Sequence, residues 1–391
     1  MDKNKRSFLK LSAAASASMF SGVMLSALLP GRASAAPALQ ASSDQTAAAI
    51  SPAPAISLDE CRSQNCRQTA ERSPMVMAAW AYLSEEIAAI KNAGLRRLVS
   101  DVYADSTPRL GRFDSKQRQD VWRELSAAGY TSAPAGDFLP PRPQDMGRKY
   151  PFLSAPGSGY GSHHAYPGGL VTHVAANVRI TRGIIDTYVQ VYGYEVNRDV
   201  AMAAQLLHDL HKPYVFQWQA DSSSRAEQPL AGTGEHHVFS LAELLVRKAP
   251  AELVVAQACA HTHPGGPADE AQVVHWLKAA AIIAGVEPVG YGLLDRSGNT
   301  LPLPRRQEGF ICHLGDHDFV LSVPAVQWTL PALRQMAVRE YKLSERDLAG
   351  KPFNSLRNQV YAQLSAMRLQ QAMAAGGESF RSLVRSVVRP V

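Results

Sequence analysis

All twelve histidines of this 391-residue chain lie between His163 and His317. Eleven of them stand in five short clusters, three of which also carry an acid. The clusters are HHAYPGGLVTH at 163–173, LLHDLHKP at 206–213, GEHHVF at 234–239, CAHTHP at 259–264 and CHLGDHD at 312–318. Imidazole and carboxylate are the usual side chains for Zn, Mn or Fe at neutral pH. The sequence therefore predicts a fold that gathers these segments around a polynuclear metal site.

The N-terminus has the pattern of an export signal. Residues 3–10 read KNKRSFLK, an uncharged run follows to Pro30, and GRASAA then offers small residues to a peptidase. We expect cleavage near Ala35 and a periplasmic protein. The KRSFLK stretch resembles the twin-arginine motif with Lys5 in place of the first arginine, which implies the twin-arginine machinery as a partner. An uncleaved membrane anchor is disfavoured, because a run rich in Ser and Ala is a poor spanning helix.

Most of the basic excess belongs to this signal. The formal charge falls from +6 to +2 without residues 1–35, which hold five basic residues and one acidic residue. Charge then gives no argument for a nucleic-acid or membrane-surface partner.

Four cysteines are too few for disulfides to be the main source of stability in an exported chain. Cys61 and Cys66 lie close together in a polar segment, and whether they are bridged stays open. Cys259 and Cys312 precede histidines of the clusters. We interpret both as small buried apolar residues, with a bridge between their segments or a thiolate ligand as alternatives.

The chain divides into five parts. They are a signal peptide at 1–35, a flexible leader at 36–74, N-terminal helices with a Pro/Gly-rich loop at 75–160, a metal-binding domain at 161–322, and C-terminal helices packed on it at 323–391. One helix is predicted over 75–102, and a second begins after Asp114 as N-cap. Downstream the apolar spacing is helical almost throughout, apart from two segments at 214–234 and 287–304 that we predict to be small β-hairpins.

The order of acids and histidines suggests which residues bind metal. Asp209 is adjacent to His208, and a carboxylate there can bridge two cations, which a histidine cannot. Asp316 shares a helix face with His313 at i and i+3. We predict that four residues bind one ion and that two more complete a second site. The four are His173, His208, Asp209 and Asp316, and the two are His237 and His261.

This ordered series resembles the HD-domain superfamily of metal-dependent phosphohydrolases, and the motifs HHAYPGGLVTHV and LLHDLHKP are most similar to HD-domain exoribonucleases and relaxase-associated proteins. The resemblance covers residues 163–320. It implies an all-α helical bundle, with the hairpins as insertions and extra helices at both ends, and it implies the same six ligands. Family members often have Gly where this chain has His211, which affects how Lys212 could contact a phosphate.

The remaining histidines are predicted to contact substrate or to orient ligands. His237 is preferred over His236 as a ligand, because the helix that follows has the family spacing. His261 is preferred over His263, because Pro264 ends the helix. The predicted substrate-contacting or orienting residues are His163, His164, His211, His236, His263, His313 and His317. His275 in VVHWLKAA is interpreted as a core residue.

The predicted function is hydrolysis of a small-molecule phosphoester by a metal-activated water, with one or two Mn, Fe or Zn ions. Asp209 would bridge the ions and Lys212 would contact the phosphate. A di-iron oxygenase with the same ligands and a non-catalytic metal- or ligand-binding module are the alternatives. The insert at 287–306, with Tyr291, Arg305 and Arg306, is a candidate cover for the site.

Overall fold

A computed structural model describes residues 50–141, 152–303 and 306–391. The predicted signal peptide and the first part of the predicted leader lie outside these residues, as does Arg305. Residues 50–391 form one compact unit.

Nearly all the regular secondary structure of the described residues is helical, which confirms the predicted all-α class. The helices are α1 Leu58–Ser63, α2 Cys66–Glu71, α3 Pro74–Ala89, α4 Ala93–Ala104, α5 Ser115–Ala127, α6 Gly169–Tyr192, α7 Arg198–Leu207, α8 Lys212–Val215, α9 Glu235–Val246, α10 Ala251–Ala258, α11 Pro267–Ala284, α12 Pro288–Tyr291, α13 Arg306–Gly315, α14 Phe319–Tyr341, α15 Glu345–Leu348, α16 Lys351–Ala374 and α17 Gly377–Arg385. Single 3₁₀ turns lie at Leu110–Arg112 and Phe152–Ser154. No helix among the described residues is long and apolar enough to cross a bilayer.

The prediction of a flexible leader is wrong for the second half of residues 36–74, which is helical. Helices α1 and α2 lie inside it, and each begins with a capping box, formed by Ser57 with Glu60 and by Asn65 with Gln68. Composition hid these helices because each is only six residues long and has few apolar residues to show a period.

The two cysteines of this segment do not form a disulfide. Cys61 and Cys66 are both free, and burial raises the pKa of each thiol to about 12. Cys61 is buried in the core that α1 shares with the C-terminal helices. Their thiols therefore pack as small apolar groups.

Two apolar cores organise the helices. The larger is built from α3, α4, α6, α7, α9, α10, α11 and α13, and the smaller from α1, α14, α16 and α17. The predicted border at 322 falls inside α14, whose Ala325 and Val326 are buried in the smaller core. The Ser73 hydroxyl joins the two by donating to the Ala362 carbonyl over 2.6 Å.

Of the two predicted hairpins, the structure has the first and not the second. In the first segment β1 Pro229–Leu230 pairs antiparallel with β2 Thr233–Gly234, so a hairpin is present but very short. The second prediction is wrong, because α12 forms there. The Glu287 carboxylate caps α12 by accepting from Val289 N, and Pro288 occupies its first turn.

The single helix predicted over 75–102 is also wrong, since α3 and α4 are separate. The Asn92 side chain caps α4 at Leu95 N, and its own N–H donates to the Asp199 carboxylate over 2.6 Å. The cap that breaks the helix ties α4 to α7.

Candidate metal centre

Three segments place the four residues predicted for one ion at helix ends that pack very closely. Helix α6 begins at Gly169, where a Cβ would lie 1.8 Å from the His164 carbonyl oxygen. Its first turns carry His173 inward, buried to 2% exposure. Helix α13 ends at Gly315, where a Cβ would lie 1.9 Å from Thr181 Oγ1 of α6. Glycine at both contacts lets the backbones approach closely enough for the side chains that follow to meet.

His208, Asp209 and Asp316 complete this inner cluster. His208 and Asp209 directly follow the last residue of α7, and Asp316 directly follows α13. His173 Nε2 lies 3.1 Å from Asp209 Oδ2, 3.3 Å from Asp316 Oδ1 and 3.2 Å from His208 Nε2. His208 Nε2 lies 3.1 Å and 3.5 Å from the same two carboxylate oxygens. The four residues predicted for one ion are thus brought together.

These separations fit a bound cation. Ligand atoms at about 2.1 Å from an ion stand roughly 3.0–3.4 Å from one another in octahedral or tetrahedral geometry. The observed range of 3.1–3.5 Å agrees. Asp209 Oδ1 is buried and has no hydrogen-bond partner among the described residues, a costly condition unless a cation is bound. The donor set of two imidazoles and two carboxylates suits Zn, Mn or Fe.

A second group of imidazoles surrounds the other side of Asp209. His261 Nε2 lies 3.7 Å from Asp209 Oδ1 and 3.5 Å from Asp316 Oδ2. His236 Nε2 lies 3.5 Å from Asp209 Oδ1. His237 stacks on His261 with ring centroids 3.5 Å apart, and His236, His237 and His261 offer nitrogens close enough to hold one ion. The structure therefore brings both members of the His236–His237 doublet to the site.

The acids and imidazoles of the inner cluster shift each other's pKa values. Burial lowers the pKa of His208, but the Asp209 and Asp316 carboxylates raise it to about 9. Burial raises the pKa of Asp209, yet His208 and Lys212 hold it well below its usual range. The carboxylates thus stay ionised and attract positive charge, which a divalent cation would supply in place of a proton.

The outer imidazoles have the opposite shift. Burial lowers the pKa of His163 and of His237 well below the usual value, and neighbouring groups that can carry positive charge lower both pKa values further. Burial also lowers the pKa of His261. At neutral pH these rings are uncharged, which is the form that binds a metal ion.

Two acids that sequence reasoning missed hold the imidazoles in place. Asp318 Oδ1 lies 3.0 Å from His173 Nδ1, and its Oδ2 lies 2.5 Å from His164 Nε2. Glu227 Oε2 lies 2.6 Å from His236 Nδ1. Asp318 stood inside the CHLGDHD cluster and could have been found there, whereas Glu227 carried no signal because it comes from the loop before the hairpin. Such partners fix the ring orientation and the tautomer of a ligand.

The remaining residues predicted to contact substrate or to orient ligands differ in whether they line the cavity beside the site. His163 lines the cavity beside the site, while His164 is buried against Asp318. His211 is buried 3.4 Å from Glu243 and does not line the cavity. Lys212 Nζ lies 2.5 Å from Asp209 Oδ2 and donates to the Gly157 carbonyl over 2.6 Å.

Three further histidines lie farther out. His313 lines the cavity. The His317 ring packs against the His313 ring, with ring centroids 4.6 Å apart. His263 is half exposed beside Asp269. The core assignment of His275 is wrong, because this ring is exposed on α11 and meets Tyr130 edge-on.

A cavity of about 280 Å³ opens onto both clusters. Besides the imidazoles and Asp316, Ser158, Lys212, Glu227 and Phe319 line it. The predicted cover over 287–306 is wrong where it is described. The Tyr291 hydroxyl donates to the Ala249 carbonyl, and Arg306 pairs with Glu270, so neither side chain lines the cavity.

Cys259 and Cys312 behave as the predicted small buried residues. Both are free and fully buried, and burial raises the pKa of each thiol. Among the described residues, neither belongs to a group that could hold an ion.

Comparison with known proteins gives one relative. The chain is 34% identical over 123 residues to the dihydroneopterin 2′,3′-cyclic phosphate phosphodiesterase of Methanocaldococcus jannaschii. The match covers 30% of this chain and 48% of that protein, so the chain spans about half the length of the curated relative it matches. No family model and no solved structure matches. The similarity is consistent with a phosphohydrolase.

Proposed function

We propose that the protein is a metal-dependent phosphohydrolase of the HD type that cleaves a small-molecule phosphodiester. The observation that carries the proposal is the convergence of His173, His208, Asp209 and Asp316 within 3.1–3.5 Å, with a second imidazole group around the same Asp209. The phosphodiesterase relative supports the ester class. The fit of the donor set favours one or two divalent transition ions.

The residues of the centre divide into two groups in this proposal. His173, His208, Asp209 and Asp316 would hold one ion, and His236, His237 and His261 would hold another beside Asp209. Bound ions lower the pKa of a coordinated water and offset charge on a phosphoryl group.

Lys212 has one ammonium hydrogen beyond those directed at Asp209 and Gly157, and it lines the cavity. It therefore orients Asp209 and can still donate to a phosphate oxygen.

Metal content and turnover test the proposal together. We expect about one or two transition ions per chain in protein purified without added metal, and hydrolysis of bis(p-nitrophenyl) phosphate that a chelator abolishes. Asp209→Asn should reduce kcat by at least about 100-fold, whereas Asp295→Asn, at a partly exposed position outside the cavity, should leave it unchanged. Less than one ion per chain would contradict the proposal, as would oxygen-dependent turnover by an iron-loaded protein that hydrolyses no ester.

We also propose that the protein is exported to the periplasm. The support is the KNKRSFLK stretch with its uncharged run and GRASAA. We expect the full chain to be found in the periplasmic fraction of a Gram-negative host with a new N-terminus near Ala36, and the Lys5→Gln, Arg6→Gln double variant to remain inside. An uncleaved chain in the cytoplasmic fraction would contradict export.

A further inference from the structure

A second cavity lies on the other side of His164 from the metal centre, where α3, α6 and α16 meet. Its volume is about 300 Å³, and its walls are mostly apolar. Met75, Ala78 and Ala79 of α3, Ala175 and Ala176 of α6 and Met367 of α16 line it. Nothing in the proposed hydrolysis uses this space.

Two positive features face this apolar space. The Arg179 guanidinium lies 3.6 Å from the centre of the Tyr82 ring, and no carboxylate of the described residues pairs with it. Helix α16 is broken at Ser365, which has φ 56° and lines the cavity. Its hydroxyl accepts from Arg368 N over 3.3 Å, so a second helical segment begins here with its positive end at the cavity. An apolar space with a cation and a helix N-terminus complements an anionic head on an apolar body.

A run of polar contacts connects this cavity with a metal ligand. Tyr166 lines the cavity, and its hydroxyl lies 2.7 Å from Thr172 Oγ1 and 3.4 Å from His164 Nδ1. His164 Nε2 meets Asp318, which in turn meets His173 Nδ1. Tyr166 is therefore two residues removed from the partner that orients His173.

We propose that this cavity is a binding site for a small amphipathic anion and that its occupancy strengthens metal binding through Tyr166, His164 and Asp318. A ligand packed against Tyr166 restricts the motion of this series and keeps the Asp318 carboxylate on His173 Nδ1. An oriented imidazole binds an ion more tightly than a mobile one. The coupling depends on the metal centre of the proposed function, whereas the binding of the anion does not.

Binding is tested first on the metal-free full-length protein, with anilinonaphthalene sulfonate as a fluorescent probe. We expect saturable binding that decanoate displaces at least about tenfold better than decanol, because the alcohol has no charge for Arg179. Ala78→Trp fills the cavity and should abolish binding, while Ala81→Trp, at an exposed position of the same helix outside the cavity, should not. Arg179→Gln should weaken binding about tenfold. Arg182 pairs with Glu86, and Arg182→Gln should leave binding unchanged. Equal binding by the two tryptophan variants, or none by the parent protein, would overturn the site.

The coupling is tested by titrating Zn²⁺ with and without saturating decanoate. We expect the Zn²⁺ affinity to rise several-fold, and the decanoate affinity to rise by the same factor when Zn²⁺ is bound, since coupling is reciprocal. Tyr166→Phe keeps the cavity and removes the hydroxyl, so decanoate should still bind while the two affinities become independent. An unchanged Zn²⁺ affinity in the parent protein would overturn the coupling. Neither measurement needs hydrolysis, so a failure here is distinct from a failure of the proposed function.

Discussion

At the scale of single residues, three imidazoles of the candidate centre hold one ring nitrogen with a hydrogen-bond partner and direct the other toward the carboxylates predicted to bind metal. Nδ1 of His173, His208 and His236 meets Asp318, the Gln205 carbonyl and Glu227, respectively. The Nε2 atoms of the same rings face Asp209 or Asp316. This division fixes which tautomer each ring adopts, and therefore which lone pair is free for a metal.

Asp318→Asn should weaken metal binding by about 10–100-fold, because the amide is a poorer acceptor for His173 Nδ1–H and leaves the ring less well oriented. Competition with a chromogenic chelator measures the change. Asp269→Asn, which alters an acid beside the half-exposed His263, is the matched control and should leave the affinity unchanged. Equal affinities of Asp318→Asn and the parent protein would show that Asp318 does not orient the ligand.

At the scale of elements, the candidate ligands lie at helix starts and ends, so their positions depend on how closely helices pack there. The sequence predicted most helices of the larger core, because amphipathic segments such as α6 and α7 show their period clearly. It missed α1, α2 and the break before α4, because those are decided by capping side chains and by contacts with distant helices. It also mistook α12 for a hairpin, since Gly and aromatic residues occur in both.

Two glycines of α6 should respond in opposite ways to alanine. Gly169→Ala forces the His164 carbonyl away and should lower the free energy of unfolding by about 2 kcal/mol or more. The same substitution should also lower the metal affinity. Gly183→Ala meets no atom within 4 Å and should stabilise the helix by up to about 1 kcal/mol. Urea denaturation and the chelator assay measure both changes. A Gly169→Ala protein of parental stability would show that the two segments can separate without loss.

Glu243 of α9 should make the stability of the metal-free protein depend on pH. Its carboxylate accepts from the Arg109 and Leu110 N–H groups and pairs with Arg247. Burial raises its pKa, but His211, Arg247 and the amide of Arg109 lower it from 4.5 to about 2. Because the folded-state pKa is the lower one, the ionised group stabilises the fold above about pH 4.5, and this contribution disappears as the pH falls toward about 2.

We therefore expect the parent protein to lose up to about 3 kcal/mol more than Glu243→Gln as the pH falls through this window. Urea denaturation at a series of pH values measures the difference. The exposed Glu252 of α10 provides the matched control, since Glu252→Gln should follow the parent curve. Parallel curves for Glu243→Gln and the parent would refute the assignment.

At the scale of the whole molecule, the candidate metal centre joins α6, α7, α9, α13 and the turn after α10, which are far apart in the sequence. Removing the metal should lower the melting temperature by several degrees, because an ion at 100 times its Kd stabilises the fold by about 2.7 kcal/mol. Scanning calorimetry with and without chelator measures the shift. His261→Asn should lose most of the shift in melting temperature between the two conditions. His275→Asn, at an exposed histidine outside the site, should keep the full shift. A melting temperature that ignores the chelator would contradict a metal in the fold.

The sequence by itself determined the helical class and the presence of a histidine- and acid-rich site, and the resemblance to HD-domain proteins implied which residues meet in its inner cluster. It could do so because helical periodicity and residue type are local properties of the chain. Only the tertiary structure decided that His236 joins His237 at the site, that Asp318 and Glu227 contact imidazoles of the site, and that His211 turns away toward Glu243. Those outcomes depend on distances between segments up to 145 residues apart, such as His173 and Asp318, and helix packing alone fixes such distances.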